Sequence, residues 1–283
     1  MPSQRFIVQP SRRLARHVLC FVARDGGAGA APPDDADGAQ FPAHVYGSIV
    51  ATLRGAIMDG ATGRSLPPLT VSGAQTSPCT RRYREDTLSI VAILKPGCAA
   101  RLCGVPAARL TDAHADAFEV METPPAGWIE HIARGRGLLE RIARFDALLL
   151  SRLAVAAEPG AGLQELLWPL LPALPRMSVG DVARHFRLSE RSVQRRFVAE
   201  FGLAPKVFLR LVRIQHALRL LQQRCAAPLA DLALACGFSD QAHLTRELRV
   251  LAGFTPTALQ EPGSDHRLRS WVLQAPHSLL ALS

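Results

Sequence analysis

Two short clusters of polar side chains stand out for what their types and spacing can do. Arg191, Gln194, Arg195 and Arg196 form the first, and Gln241, His243, Thr245 and Arg246 form the second. An arginine fork matches O6 and N7 of guanine, and a glutamine amide matches N6 and N7 of adenine. Such residues on the outer face of a helix can therefore read base edges in a DNA major groove. The same charges also suit solvent or a phosphate, which fixes register without reading sequence. Ser189 and Ser239 precede the two clusters, each placed to cap the helix that carries them. Arg196, Lys206 and Arg210 have the charge and position for phosphate contacts.

The elements that must hold these clusters are one pattern written twice within residues 176–260. A short helix centred on a small residue, Ala183 or Ala233, leads to a turn at Leu188-Ser189 or Phe238-Ser239. A polar second helix follows and ends near Gly202 or Gly253. Two small helices joined tightly, with the second one polar, are the helix-turn-helix arrangement, whose second helix enters the major groove. In the first copy Ser178 and Asp181 predict an N-cap with an acidic N3. Val193 and Phe197 point inward at i, i+4, which leaves Arg191, Gln194 and Arg195 outward. In the second copy Leu244, Leu248 and Leu251 face the core, Gly237 makes the turn and Ser239 caps. Arg246 has an internal alternative, an ion pair with Glu247 or Asp231.

Between the copies, Val207, Leu211, Ile214, Leu218 and Leu221 recur at helical spacing over residues 205–224. Twenty residues at about 1.5 Å each give about 30 Å, close to the ~34 Å repeat of B-DNA. A rigid spacer of that length sets two reading heads on successive major grooves. Residues 176–260 hold both heads and their spacer, and are expected to bind DNA without the rest of the chain.

On these residues the stretch resembles the DNA-binding domain of the AraC/XylS family of bacterial transcription regulators. The resemblance is carried by Ala183, Ser189, Val193, Arg195 and Phe197, then by ADLALACGFSDQAHLTREL with Arg246, and by Gly253-Phe254-Thr255-Pro256. It departs from the family where Arg187 replaces a turn glycine, where Leu244 and Leu248 stand in place of Phe, and at Ala258-Leu259-Gln260. It implies that Arg191, Gln194 and Arg195, and then Gln241, His243, Thr245 and Arg246, reach base edges of double-stranded DNA. It also leaves places for RNA polymerase, a small-molecule effector and a second copy of the chain as partners.

Charge agrees. The chain carries 33 Lys+Arg against 24 Asp+Glu, and residues 176–260 alone hold 13 basic and 6 acidic side chains, so the excess is concentrated where a polyanion would bind. The six cysteines show no C-x-x-C pair and no zinc spacing, which argues against a disulfide framework and fits a reducing cytoplasm. Cys225 and Cys236 read as small buried hydrophobes, and Cys98 and Cys103 as candidates for oxidant sensing near Arg101. The longest apolar runs are too short for a membrane span, and the basic start lacks a signal-peptide core.

Short apolar runs at 5–8, 17–23, 49–53, 69–74, 88–94 and 118–121 predict strands of a small antiparallel barrel or sandwich over residues 1–122, with a loop at 28–40. The phrase LKPGCAARLCGVPAARLTDA resembles one found late in the cupin-like N-terminal domain of many AraC-type regulators, which implies a sensing or dimerising role. His44, His114 and Glu119 lie there without the H-x-H of a cupin metal site, so neither metal nor cofactor is expected. Residues 123–175 read as a helical linker. Leu138, Ile142, Phe145, Leu149 and Leu153 make an apolar stripe that either packs inward or dimerises, and Pro169, Pro172 and Pro175 end the segment. A tail, 261–283, carries Trp271 and the apolar run 279–282.

The expected class is α+β: a β-rich domain, a helical linker and an all-α double helix-turn-helix domain. The expected function is sequence-specific transcription regulation under an effector. The alternative is a ligand-independent regulator whose N-terminal domain only dimerises or binds a partner. The chain has no G-x-S-x-G, H-E-x-x-H, P-loop or dinucleotide fingerprint, so no enzyme is expected.

Overall fold

The computed structural model describes residues 4–26, 38–84, 86–121, 125–155, 162–222 and 228–260. The chain divides into two compact units. The first comprises Met1–Ala39, Tyr46–Gly73 and Thr80–Gly160; the second comprises Gln40–Val45, Ala74–Cys79 and Ala161–Ser283.

Strands come first. They are β1 (Gln4–Val8), β2 (Val18–Asp25), β3 (Ala39–Phe41), β4 (Gly47–Arg54), β5 (Ile57–Asp59), β6 (Leu69–Ser72), β7 (Cys79–Tyr83), β8 (Leu88–Leu94) and β9 (Ala115–Asp116). A six-stranded sheet runs β1-β2-β8-β4-β6-β9, and a second runs β3-β7-β5. The larger sheet is open, a sandwich-like layer rather than a closed barrel. Burial alternates along β4, with Gly47, Ile49 and Ala51 inward, as a half-buried strand requires. Antiparallel register places Ile49 opposite Ala92 on β8 and Val71 on β6, which makes one apolar row across three strands.

Helices cover that row: α1 (Cys98–Cys103), α2 (Ala117–Val120), α3 (Trp128–Ala133) and α4 (Leu138–Val155). Ile142, Phe145 and Leu149 of α4 are fully or nearly buried in the same core as the sheet residues, with Leu138 and Leu153 packed against it. Phe145 stacks on Phe21 of β2 at 5.7 Å between ring centroids. The stripe on α4 therefore packs inward. Residues 118–121 depart from the expected strand. Asp116 caps a helical turn by accepting from the Phe118 N–H, and the Phe118 side chain is 47% exposed. A local cap outweighs β propensity where no sheet neighbour is left to pair with. Strands β3, β5, β7 and β9 have no strong apolar alternation, and sequence reasoning missed them.

Polar groups inside the first unit pair with one another. Arg81 donates to Asp59 at 2.7 Å and bonds His114, whose other ring nitrogen meets the Ser72 hydroxyl at 2.7 Å. Within the second unit, His44 and Gln75 pair by backbone. Among the described residues no three His, Cys, Asp or Glu side chains converge. Burial pushes the Cys20 and Cys103 thiols up to about 12, which disfavours the thiolate that oxidant sensing requires. No described helix is long and apolar enough to cross a membrane.

The second unit is built from α5 (Leu163–Leu167), α6 (Val179–His185), α7 (Glu190–Phe201), α8 (Pro205–Gln222), α9 (Leu229–Ala235), α10 (Gln241–Ala252) and α11 (Pro256–Gln260). Pro169 follows α5 and the chain tightens into a 3-10 turn. The stretch 123–175 is thus no body of its own. Its first part is core of the first unit, and residues 163–175 bury Leu163, Leu167, Leu171 and Leu174 in the second. The loop at 28–37, Cys225, and the tail with Trp271 and 279–282 lie outside the described residues.

Candidate nucleic-acid interface

The first head begins with a complete capping box. The Ser178 hydroxyl accepts from the Asp181 N–H, and Asp181 accepts from the Ser178 N–H at 2.8 Å. The Ser178 hydroxyl, donating to the carboxylate at 2.7 Å, and then the Ser178 N–H hold the Asp181 carboxyl below the usual carboxylate range. Ala183 is buried where α6 crosses α7, and the turn closes with Leu188 N–H donating to the Ala183 carbonyl at 2.9 Å. Arg187 sits in that turn at φ +53°, a left-handed conformation that disfavours a side chain. Ser189 caps α7 through the Ser192 N–H. Val193, Phe197 and Phe201 face the core. Arg191, Gln194, Arg195 and Arg196 are exposed, and among the described residues none of the three arginines pairs with a carboxylate.

The second head repeats the geometry with one change. Phe238 N–H donates to the Ala233 carbonyl, again at 2.9 Å, and Gly237 takes the left-handed turn position at φ +80°. The turn is then one residue longer. Ser239 does not cap α10. Asp240 does, accepting from the His243 N–H at 2.7 Å, and that bond with the Ser239 hydroxyl lowers its carboxyl. Ser239 instead donates to Asp240 and bonds the His243 ring. A carboxylate outcompetes a hydroxyl because a charged acceptor makes the stronger bond.

On α10 the outward positions are less uniform. Gln241 and Arg246 are exposed. Thr245 is half-buried and donates back to the Gln241 carbonyl at 2.9 Å, and His243 meets the Phe238 ring edge-to-face at 5.3 Å between centroids. Arg246 does not take Glu247. That carboxylate belongs to Arg210 of the spacer helix, which reaches it with Nε at 2.5 Å and Nη2 at 3.0 Å. Arg210, expected on a phosphate, is committed across the domain instead.

The spacer helix α8 buries Phe208, Leu209, Val212 and Ala217 as well as Leu211, Ile214 and Leu218. A helix apolar on more than one face is wrapped by its neighbours, and both heads pack on it. Glu190 of the first head and His243 of the second line one cleft of about 560 Å³, together with Leu209 and Arg210 of the spacer helix. Lys206 is exposed at its rim. The groups missed in the sequence are Arg213 and Arg176, while Glu247, expected as a partner for Arg246, pairs with Arg210. Arg213 and Arg176 bond backbone carbonyls, which no side-chain pattern encodes.

Two helix-turn-helix units on one wrapped spacer helix define a double-headed nucleic-acid-binding class. Comparison with known proteins agrees: residues 182–261 match the helix-turn-helix domain family model. Over 130 residues the chain is 28% identical to the HTH-type transcriptional activator RhaS of Klebsiella pneumoniae (strain 342), covering 46% of this chain and 42% of the relative. Over 80 residues it is 32% identical to RhaS of Escherichia coli (strain SE11), covering 28% of each. Among solved structures it is similar to an AraC-type transcriptional regulator from Chromobacterium violaceum, 27% identical over 36% of this chain and 86% of that one, with a TM-score of 0.30. It is also similar to ToxT from Vibrio cholerae, 8% identical over 82% and 94%, with a TM-score of 0.43. The chain spans less than half the length of these curated relatives. Over residues 182–261 the chain is therefore similar to the helix-turn-helix domains of these transcriptional activators.

Proposed function

We propose that the protein is a sequence-specific DNA-binding transcription regulator whose helices α7 and α10 enter successive major grooves. The observation that carries this reading is the repeated head geometry with exposed, unpaired Arg191 and Arg195 beside Gln194 on the outer face of α7. Gln241 and Arg246 hold the corresponding face of α10, with Thr245 and His243 as shorter-range contacts. Arg196 and Lys206 hold phosphates. The named relatives are transcriptional activators, and activation is the direction of regulation this reading takes. The β-rich unit is assigned the regulatory role, receiving a small-molecule effector, with RNA polymerase and a second copy of the chain as partners.

The DNA-binding module is taken as 161–260, because Leu163, Leu167, Leu171 and Leu174 complete its core and the Gln164 N–H donates to Glu200 of α7. Footprinting on the upstream region of the protein's own operon is the test, followed by binding constants on that duplex and a scrambled one across a salt series. Arg195→Ala should cost roughly 1–3 kcal/mol on the footprinted site alone. Lys206→Ala should weaken both duplexes equally and reduce the salt slope by about one. A folded protein with no salt-sensitive binding to any upstream fragment ends the proposal.

A further inference from the structure

The two heads are fastened to the spacer helix by different physics. The first is held by an aromatic cluster: Phe197, Phe201 and Phe208 lie 4.9–5.2 Å apart between ring centroids. From α10 the second offers aliphatic Leu244 and Leu248, with Phe238 and Phe254 buried beside them, and apolar burial of this kind is non-directional. Directed bonds are added there. Arg210 grips Glu247 of α10 with two nitrogens. One helical turn further, Arg213 donates from Nε to the Pro175 carbonyl at 2.8 Å and from Nη2 to the Met177 carbonyl at 3.2 Å. Arg176, between those carbonyls, donates to the Ala235 carbonyl at the end of α9. The turn of the second head closes the junction. A Cβ on Gly237 would lie 2.3 Å from the Pro175 carbonyl oxygen, so backbone meets backbone there. The chain leading into the first head, the spacer helix and the turn of the second head thus meet at one carbonyl.

We infer that Arg210 and Arg213 are the positioning residues that set the phase of the second head relative to the first, and so the spacing of the two half-sites the protein accepts. The inference rests on the DNA-binding reading above. A planar guanidinium bound through two nitrogens fixes orientation as well as distance. Apolar packing alone leaves α10 free to swivel about the spacer, and a swivelling head accepts half-sites on more than one spacing. Neither arginine reads a base in this assignment. Each acts through the position of α10.

The test uses the full chain in two arms. The first measures binding to the footprinted duplex and to duplexes with one base pair added or removed between the half-sites. Wild type should discriminate against the altered spacings by about tenfold or more, since half-site spacing is fixed by protein geometry. In Arg210→Met and Arg213→Met the ratio between spacings should fall toward one, and the charge-exchanged pair Arg210→Glu with Glu247→Arg should restore it. A loss of affinity equal on all spacings is the signature of a merely structural role and overturns the inference, as does full discrimination in both folded variants. The second arm needs no DNA. Spin labels on non-natural amino acids at exposed Ala199 and Val250 report the head-to-head distance distribution, narrow in wild type and broadened in Arg210→Met. Arg210 is partly exposed, so its replacement leaves a folded protein to measure. A distribution that stays narrow in Arg210→Met refutes the positioning role whatever the DNA results. A broadened distribution in a protein that binds no DNA supports the positioning of the heads and overturns only the link to half-site spacing, through the DNA reading.

Discussion

The two heads share a backbone and differ in almost everything that stabilises it. Their first helices are 50 residues apart and their second helices 51, the extra residue falling in the turn before α10. The first head has a capping box, a serine cap and an aromatic core, yet carries Arg187 at a backbone position suited to glycine. The second has glycine there, but Pro228 gives α9 no side-chain cap, and the buried residues of α9 and α10 are aliphatic, with Phe238 and Phe254 buried beside them. Each head satisfies the same fold with a different set of local preferences. The first head also presents Arg191, Arg195 and Arg196 exposed on its outer face. The second is tied in by arginines of the spacer and the leading segment.

The largest expected effect tests how much the first head depends on what precedes it. Fragment 176–260 lacks four buried leucines that 161–260 retains. At about 1.5–3 kcal/mol each, that loss should exceed about 4 kcal/mol. Chemical denaturation of the two fragments measures it, and equal midpoints would return the boundary to residue 176. Next is the turn. Gly237→Ala meets both a positive φ and the Pro175 carbonyl, and should cost about 3 kcal/mol or more. Its counterpart Arg187→Gly should stabilise by about 0.5–1 kcal/mol, because it relieves a left-handed side chain. Thermal unfolding of both variants shows whether their signs are opposite.

Acid should separate the heads further. Burial first, and then Arg219 and Arg176, push the His216 imidazole from 6.5 down to about 4. The folded protein therefore binds this proton less readily than the unfolded chain. Stability is complete above pH 6.5, falls as pH drops from 6.5 to about 4 and levels off below. His216 accepts from Arg219 at 2.6 Å, on the spacer near the second head's Cys236, which feels the same two arginines. The thermal midpoint should thus decline between pH 6.5 and 4 in wild type and less steeply in His216→Gln. The smallest effect concerns the caps. Asp240→Ala should cost about 1 kcal/mol and Ser239→Ala much less, reversing the order the sequence suggests. Thermal midpoints at pH 7 decide between them.

The sequence alone determined the doubled helix-turn-helix, the spacer helix, the inward pattern of α4 and the outward faces of α7 and α10. All of these rest on apolar spacing of three and four residues and on caps within three residues of the helices they start. The family resemblance marked Arg187 as out of place, where a turn glycine is usual, and the structure gives it φ +53°. What the sequence left open was decided by partners far along the chain. Arg210 has the charge and spacing of a phosphate contact, and only the packing of α10 on α8 brings Glu247, 37 residues away, within its reach. Arg213 bonds carbonyls, which every residue has and no composition distinguishes. The cap of α10 moved from Ser239 to Asp240 because one added residue shifts which side chain faces the free N–H groups. The run at 118–121 became helix because Asp116 supplied a cap. Local rules place a residue on a face, whereas the partner that face meets is a property of the tertiary fold.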